Sequence, residues 1–318
     1  MVSVEKAAEI IRGGGVVAFP TETVYGLGAN ALDPVAVARI FALKARPAFD
    51  PLIVHVSSLS GMLPLIKGPV PALAIALAER FWPGPLTMVL DKSDATPDIV
   101  TAGLKRVGIR APRHPLALAL LEAAGCPIAA PSANKFGRVS PTTAQHVRRQ
   151  LPELECVLDG GPCQVGIEST VVALHDDGFE LLRPGFVTPE QLLEVAPQSG
   201  RNTAADLVSP GLLLSHYSPE KPVYIEGEAQ LRADTDRGVY LSFSGKAPEG
   251  YARVEYLSRD SDLTEAAANL FGALHRLEES AEAFMVVEAL PERGLGVAIM
   301  DRLRKAAYRY QQNDPQTH

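Results

Sequence analysis

The chain has 318 residues and a net charge of −7, with 47% hydrophobic and 21% charged residues. This length suits two globular domains, and the negative balance argues against a large nucleic-acid-binding surface. No apolar run approaches the roughly 18 residues of a membrane span, and charged residues interrupt the amino terminus where a secretion signal would be apolar, so a cytoplasmic location is expected.

The three cysteines show neither C-x-x-C nor zinc-ligand spacing. Cys126 and Cys156 lie in or beside apolar runs, which favours buried, inert thiols. Cys163 belongs to no recognisable nucleophile pattern. A cysteine nucleophile therefore has no support from the sequence.

Over about the first 195 residues, apolar runs of strand length alternate with helical segments. The predicted helices are Val4–Arg12, 33–43, Pro71–Arg80, Pro115–Ala124 and Thr143–Gln150. The predicted strands are Val16–Phe19, Leu52–Val56, Leu86–Leu90, Val107–Arg110, Ile128–Ala130, Cys156–Leu158 and Thr170–Ala173. This alternation predicts an α/β domain in which helices pack on a mixed sheet.

The pattern changes between residues 196 and 222, where Ser, Pro and Gly are frequent and no period is sustained. This segment is predicted to be a linker or a cover over a site. A second α/β pattern follows in residues 223–318. Its predicted elements are strands Val223–Ile225, Val239–Leu241 and Phe284–Glu288 and helix Asp262–Ser280.

Four polar side chains follow the first predicted strand in the segment PTETVYGLG, namely Thr21, Glu22, Thr23 and Tyr25. Polar groups at a strand end are typical of a binding cleft. A polar turn closed by the two glycines explains the segment equally well, so both interpretations stay open. The preceding GGG lacks a phosphate-loop lysine and is interpreted as a turn.

Two cations follow the second helix, where Pro47 makes the chain leave the helix. Lys44 and Arg46 together suit an anion, although Lys44 could instead compensate the helix dipole. His55 lies within an apolar run, where a buried core histidine is the commoner outcome.

Further polar groups follow later strands. Arg110 ends the strand in GIRAP and could face a cleft or form a strand-end ion pair. Ser132, Asn134 and Ser140 in PSANKFGRVSPT offer short hydroxyl and amide groups suited to phosphate, ribose or base. The segments GIESTVV and LLRPG also bring polar groups to strand ends.

In this order, PTETVYGLGANA, K-x-R-P before PLIVHV, GIRAP, PSANKFGRVSPT, GIESTVV and RPG resemble the YrdC/Sua5 family. The additional linker and second α/β pattern resemble the longer, Sua5 type. The resemblance implies a twisted, mixed-sheet YrdC-like catalytic domain at 1–195, a linker or active-site cover at 196–222 and a smaller Rossmann-like α/β domain at 223–318.

The resemblance also implies an activity. The family makes L-threonylcarbamoyladenylate and diphosphate from L-threonine, bicarbonate and ATP, and the product serves the t6A modification at position 37 of tRNA. Mg²⁺ is expected with ATP, held mainly by phosphates rather than by protein ligands. A tRNA-modifying transferase complex is the expected downstream partner, without extensive nucleic-acid binding by this chain.

Site residues follow from the same resemblance. Lys44 and Arg46 are the expected catalytic residues. The expected ATP site comprises Lys44, Arg46, Asp50, Arg106, Ser132, Asn134, Ser140 and Arg183, with Tyr217 reaching the nucleotide from the linker. The expected threonine site comprises Thr23, His55, Arg110, Ala130, Ser169 and Thr170, with Arg110 taking the carboxylate.

Two features depart from the family pattern. The family usually has basic residues where this chain has Leu212–Ser215, so an apolar lid is expected there. Asparagine is common where this chain has Asp50, and a carboxylate near triphosphate requires a pairing with Lys44 or Arg46, or proximity to Mg²⁺.

Two alternative functions stay open at this stage. One is a carbamoyltransferase that handles carbamoyl adenylate, although the accessory domains typical of such enzymes are not evident in the sequence. The other is a non-enzymatic RNA-binding protein, which the acidic balance and the lack of interleaved aromatic and basic residues disfavour.

Overall fold

The computed structural model describes residues 2–199, 217–228 and 234–311, and the chain forms two units. The first unit consists of Met1–Phe136, Pro141–Gln164 and Glu168–Leu212. The second consists of Gly137–Ser140, Val165–Ile167 and Leu213–His318, so it includes two short segments from within the first two hundred residues.

The first unit alternates helices and strands along the chain. Its helices are α1 Val4–Arg12, α2 Pro34–Lys44, α3 Ala72–Phe81, α4 Asp98–Thr101, α5 Pro115–Ala124, α6 Ala144–Gln150 and α7 Pro189–Leu193, with a 3₁₀ segment at Leu59–Leu65. Its strands are β1 Val17–Phe19, β2 Gly26–Asn30, β3 Ile53–His55, β4 Leu86–Asp91, β5 Arg106–Arg110, β6 Ile128–Ala129, β7 Thr170–His175 and β8 Gly178–Arg183.

In the described residues these strands form one sheet in the order β1-β2-β6-β3-β5-β4-β7-β8. The β3–β5 and β4–β7 pairs are parallel and the other pairs are antiparallel, which confirms the predicted mixed sheet. Both faces are covered. Ala18 packs into a large core on one face, while its neighbours Val17 and Phe19 pack with α1 and α5 on the other, as expected from strand alternation.

The segment after Tyr25 is a strand, so its two glycines do not close a turn, although residues 22–24 before it form a bend. Gly28 lies in β2, between β1 and β6, and a Cβ there would come within 2.6 Å of Ile128 Cγ2 and 2.7 Å of Phe19 Cε1. Glycine is therefore required by close packing rather than by a turn.

One predicted strand of the first unit is wrong, and the sequence did not indicate two strands, β2 and β8. Cys156–Leu158 forms only an isolated bridge between Val157 and Ala18. Strand β8 was not identified because only LLRPG, residues 181–185, was interpreted, as a segment at a strand end.

The helix boundaries follow local capping chemistry. The hydroxyl of Ser3 accepts the Lys6 N–H at the start of α1, and Asp33 caps α2, with Pro34 at its first position. Helix α2 ends at Lys44, followed by Ala45 in the left-handed region at φ 51°. This turn carries the chain from Lys44 directly to Arg46.

The second unit is a smaller α/β arrangement. Its elements are β9 Val223–Ile225, β10 Gly238–Ser242, β11 Arg253–Tyr256, α8 Leu263–Glu279, β12 Phe284–Val287 and α9 Leu295–Gln311, with a 3₁₀ turn at Thr235–Arg237. The four strands are parallel in the order β11-β10-β12-β9. The predicted Rossmann-like pattern is confirmed, although β11 and α9 were not identified from the sequence.

None of the helices within the described ranges combines the length and apolarity that crossing a bilayer requires.

Candidate active site

Several predicted site residues lie together because strand ends and the loops after them meet in the first unit. Strands β3 and β5 are parallel, with His55 in register with Arg110 at their carboxyl ends. Thr23 follows β1, and its hydroxyl accepts a hydrogen bond from Arg110 Nη1 at 3.0 Å. The structure thus brings three predicted threonine-site residues together.

Arg110 is the best-anchored side chain of this group. Its Nε donates to the carbonyl of Gly84 at 3.2 Å, and its Nη2 lies 2.7 Å from Oε1 of Glu22. Glu22 and Arg110 are both buried, so the ion pair is shielded from solvent. The strand-end ion pair considered from the sequence is therefore present, with Glu22 as the partner.

The hydroxyl of Thr23 has a fixed role in this network. Thr21 Oγ1 donates to the Val24 carbonyl at 2.6 Å and lies 2.8 Å from Thr23 Oγ1. Because the Thr21 proton is used on Val24, Thr23 donates to Thr21 while it accepts from Arg110. One lone pair of Thr23 remains for a ligand.

His55 is uncharged in this environment. Burial and, to a smaller extent, the positive charge of Arg110 lower the pKa of His55 to about 3, although backbone hydrogen bonds to Ile128 and Ile53 oppose the change. Its Nδ1 is buried without a hydrogen-bond partner in the described part of the chain, and its ring meets Phe19 edge-on. A buried, unsatisfied ring nitrogen is costly unless a ligand completes it.

Ala130 lies beside β2 and β3. Its N–H donates to the Ile53 carbonyl at 2.9 Å, and a Cβ on Gly26 would lie 3.3 Å from the Ala130 Cβ. The small side chain of Ala130 thus forms a tight wall next to the strand that ends at His55.

Thr170 begins β7, which lies on the other side of β4 from β5, and Ser169 directly precedes it. The hydroxyl of Thr170 donates to the Val187 carbonyl at 2.6 Å, and its N–H donates to the Pro85 carbonyl. Ser169 Oγ lies 2.8 Å from Thr87 Oγ1. The loop at Gly84 and Pro85 therefore contacts both Arg110 and Thr170 through its carbonyl groups.

A second group of side chains is cationic. Lys44 is fully buried, and its ammonium group donates to the carbonyl oxygens of Ser132, at 2.5 Å, and Asn134. Burial lowers the pKa of Lys44 well below its usual value, and the charge of Arg46 lowers it further. The sequence left open that Lys44 only compensates the dipole of its helix. Its full burial disfavours that role, because the ammonium group is enclosed by other parts of the chain.

Arg46 pairs with Asp50. This is one of the pairings that a carboxylate close to a triphosphate site was expected to need. Arg46 Nη2 lies 2.9 Å from Asp50 Oδ2, and the guanidinium also donates to the carbonyls of Asp50 and Pro51. Burial raises the pKa of Asp50, while the charges of Arg46, Lys44 and Arg183 oppose that rise. All three cations are therefore close enough to interact electrostatically with this carboxylate, and Arg46 contacts it directly.

Arg183 at the end of β8 connects the two groups. Its Nε and Nη2 donate to the Ser169 carbonyl at 3.1 and 2.9 Å, and Nη2 also donates to Ser169 Oγ at 3.1 Å. A Cβ on Gly185 would lie 2.4 Å from the Thr170 nitrogen, so the RPG turn must pack closely against β7. Lys44, Arg46 and Arg183 carry more positive charge than Asp50 offsets, which suits a polyanion.

Arg106 does not belong to this arrangement, and its predicted place in the ATP site is corrected. It starts β5, four residues before Arg110, and its guanidinium donates to the carbonyls of Val89 and Leu174. Its Nε lies 3.3 Å from Asp91. The motif placed both arginines on one strand, but the strand carries them to opposite ends.

Tyr217 and Ser140 belong to the second unit. The Tyr217 ring stacks on Phe271 at 5.4 Å, and the guanidinium of Arg302 lies over it. This position makes Tyr217 a packing residue of that unit and does not support the predicted nucleotide contact. The carbonyl of Ser140 accepts from His275 Nε2 at 3.0 Å. The predicted lid at Leu212–Ser215 lies outside the described residues.

Sequence reasoning missed three site residues. Glu22 was noted as polar but was not assigned, while Thr87 and Gly84 were not considered. The sequence pattern could have identified Thr87, because it is a polar residue flanked by apolar residues within a strand. The Gly84 contact uses a backbone carbonyl, which leaves no trace in side-chain patterns.

The cysteines do not suit nucleophilic chemistry. All three are free thiols, and burial raises the pKa of each, to about 12 for Cys163. A thiol with a raised pKa is largely protonated at neutral pH and is a poor nucleophile.

The chain is similar to known proteins over most of its length. The family model Sua5_yciO_yrdC, described as "Telomere recombination", matches residues 9–185. A second model, Sua5_C, described as "Threonylcarbamoyl-AMP synthase, C-terminal domain", matches residues 187–308.

Two similar relatives are both named threonylcarbamoyl-AMP synthase. The protein from Pyrococcus abyssi is 42% identical over 95% of this chain and 93% of its own. The protein from Bacillus subtilis is 44% identical over 96% of this chain and 92% of its own. The crystal structure of P. abyssi Sua5 complexed with L-threonine matches with a TM-score of 0.85 and 41% identity, covering 96% of this chain and 94% of that one.

Proposed function

Because the chain belongs to the Sua5/YciO/YrdC family and carries the Sua5-type carboxyl-terminal domain, we propose that it is a threonylcarbamoyl-AMP synthase. It converts L-threonine, bicarbonate and ATP into threonylcarbamoyl-AMP and diphosphate, which makes it a nucleotidyltransferase. One observation carries this proposal. The same unit contains the buried guanidinium of Arg110, which has N–H groups left for a ligand, and a separate group of cations near Asp50.

The Arg110 group suits the amino acid. A guanidinium binds a carboxylate through two parallel hydrogen bonds, and Arg110 is fixed by Gly84, Thr23 and Glu22. The neutral ring of His55 and the remaining lone pair of Thr23 offer polar contacts for the substrate's ammonium and hydroxyl groups.

The cationic group suits the triphosphate. Lys44, Arg46 and Arg183 stabilise the negative charge of the phosphates and of the departing diphosphate. The threonine ammonium group releases its protons as the nitrogen bonds to carbon dioxide or to bicarbonate, and with bicarbonate the hydroxyl group leaves as water, which gives an N-carboxylate. A carboxylate oxygen then attacks the α-phosphorus, and the bond to the β-phosphate oxygen breaks as diphosphate leaves. The protein contributes alignment and charge, without a covalent enzyme intermediate.

Magnesium is the proposed companion of ATP. The described residues hold no group of three or more metal-ligating side chains, so the phosphates would supply most ligands. Asp50 is the one carboxylate that we assign to the cationic group, and it fits a single ligand position. When bound, the ion offsets phosphate charge.

The proposed place of the reaction is the cytoplasm, which fits three free cysteines. The product is an activated threonylcarbamoyl group, which a tRNA-modifying transferase complex would consume in t6A synthesis. The alternatives from the sequence, a carbamoyltransferase and an RNA-binding protein, gain no specific support from the site.

The proposal is tested by incubating the protein with ATP, L-threonine and bicarbonate and determining the mass of the nucleotide product. Threonylcarbamoyl-AMP and an equal amount of diphosphate are expected only when all three substrates are present. Diphosphate release with carbamoyl phosphate in place of threonine and bicarbonate would indicate the carbamoyltransferase. Salt-dependent RNA binding without diphosphate release would indicate the RNA-binding protein.

A further inference from the structure

Glu22 forms a buried ion pair that the reaction scheme above does not use. Its Oε1 lies 2.7 Å from Arg110 Nη2, and its Oε2 accepts the Arg113 N–H at 3.0 Å. The carboxylate is therefore held from both sides, by the loop after β5 and by the side chain that ends β5. It is fixed rather than free to swing away from Arg110.

The contacts of Arg110 leave a defined part of the guanidinium for a ligand. Arginine has five N–H groups. Within the described ranges, Nε is used by Gly84 and one Nη1 hydrogen by Thr23, whereas Nη2 lies 2.7 Å from Glu22 Oε1 without making a hydrogen bond. One Nη1 hydrogen and both Nη2 hydrogens therefore remain, so each terminal nitrogen can donate to a substrate carboxylate.

The charge around this pair is balanced. Three further titratable groups lie nearby, and the environment favours the uncharged form of each. The pKa values of His55 and His114 are lowered chiefly by burial, and burial raises the pKa of Cys163 to about 12. Arg113, whose N–H binds Glu22, is exposed, so among the described residues at this pair the buried charges are the negative charge of Glu22 and the positive charge of Arg110.

A neutral, buried site discriminates between ligands by their charge. A zwitterionic amino acid adds no net charge, because its ammonium group compensates its carboxylate. A carboxylic acid without an ammonium group adds an unbalanced negative charge beside Glu22, which is costly in a buried site. The cationic group around Asp50 has the opposite balance and accepts anions.

From this arrangement we infer that Glu22 positions Arg110 for the substrate carboxylate and makes the pocket select zwitterionic amino acids over hydroxy acids that lack the amino group. The inference rests on the proposed function, in which Arg110 binds the threonine carboxylate. Glu22 acts through Arg110 and through its own charge, so it is a positioning and specificity residue.

The test compares L-threonine with 3-hydroxybutyrate, which keeps the carboxylate and the β-hydroxyl but lacks the amino group. Binding of each is measured by calorimetry on the full-length wild-type protein and on Glu22→Gln. The wild type is expected to bind 3-hydroxybutyrate at least about 100-fold more weakly than threonine. In Glu22→Gln this ratio is expected to fall at least about tenfold, because the unbalanced negative charge is gone.

Two further variants separate charge from structure. Glu22→Asp keeps the charge but shortens the reach to Arg110, so it should retain the discrimination while weakening threonine binding. Glu153→Gln, which alters a half-exposed ion pair with Lys135, should match the wild type. An unchanged ratio in Glu22→Gln overturns the inference.

Failure of Glu22→Gln to fold does not remove the test. In that case wild-type binding decides alone, and 3-hydroxybutyrate binding within about threefold of threonine overturns the inference. These binding measurements need no turnover. Threonine binding without product formation would therefore count against the proposed function only, whereas normal turnover with unchanged discrimination would count against the role of Glu22.

Discussion

Arg46 and Asp50 form a buried ion pair in which Nη2 of the arginine lies 2.9 Å from Oδ2 of the carboxylate. Without nucleotide, Asp50 provides the compensating negative charge for the surrounding cations. In the proposed complex, the phosphates provide additional negative charge at the same place. The protein and its ligand thus share one set of positive charges.

This sharing predicts the behaviour of Asp50→Asn. Removing one partner of a buried pair leaves Arg46 uncompensated, so the free energy of unfolding should fall by about 3 kcal/mol without nucleotide. ATP should restore more stability to this variant than to the wild type, measured as the rise in Tm with saturating nucleotide. Asp98→Asn is the control, since its 3.0 Å pair with Lys92 involves a carboxylate side chain that is 79% exposed. Equal ATP-induced shifts in wild type and Asp50→Asn would contradict this prediction.

Lys44→Met should weaken nucleotide binding by about 10- to 100-fold, the effect of losing one charged hydrogen bond. The loss should be specific for ATP, because Lys44 contacts Ser132 and Asn134 rather than the Arg110 group. Calorimetric titration with ATP and with threonine measures both affinities. The exposed Lys6 provides a matched Lys6→Met control. Unchanged ATP affinity in Lys44→Met would remove Lys44 from the phosphate site.

Thr87→Val should weaken threonine binding by about 2- to 10-fold, since one neutral hydrogen bond contributes about 1 kcal/mol. The reason is the 2.8 Å contact between the hydroxyls of Thr87 and Ser169, which fixes Ser169 at the predicted pocket edge. Thr87→Ser keeps the hydroxyl and should bind threonine as the wild type does. If valine and serine variants bind threonine equally, Thr87 has no positioning role.

His55 predicts a pH dependence of stability. Its pKa is lowered from 6.5 to about 3 by burial and by Arg110, so the unfolded chain binds the proton more readily than the folded one. This contribution to stability is complete above pH 6.5 and is lost as the pH falls towards about 3, at up to about 1.4 kcal/mol per pH unit.

Denaturant unfolding of the wild type and His55→Gln at about pH 7 and pH 5 measures this contribution. The free energy of unfolding of the variant should decrease less over this interval than that of the wild type. If the free energy of unfolding decreases equally in both proteins, His55 has the same pKa in the folded and unfolded chain. That result would contradict the buried, neutral ring described above.

Much of the fold could be predicted because local chemistry determines it. Ser3 and Gly13 delimit α1, and Asp33-Pro34 starts α2, so both helices were placed closely. Strand β2 escaped prediction because its glycines are required by Phe19 and Ile128, which are distant in sequence. The spacing of apolar and polar residues along the chain does not indicate such a contact.

The site was predicted in part for the same reason. Family motifs predicted Arg110, Lys44 and Arg46 as site residues, and all three are buried, but the motifs did not predict Glu22 as the partner of Arg110. That pairing depends on how the loop after β1 meets the end of β5. The family resemblance assigned Arg106, which is close to Arg110 in sequence, to the ATP site. The motif does not show that the two arginines lie at opposite ends of β5.

The most direct test is a crystal structure of the protein with L-threonine and a non-hydrolysable ATP analogue bound together. The threonine carboxylate should lie within about 3 Å of both terminal nitrogens of Arg110, and the phosphates should contact Lys44, Arg46 and Arg183. Threonine bound away from Arg110, or phosphates bound away from these three cations, would contradict the assignment of the two groups.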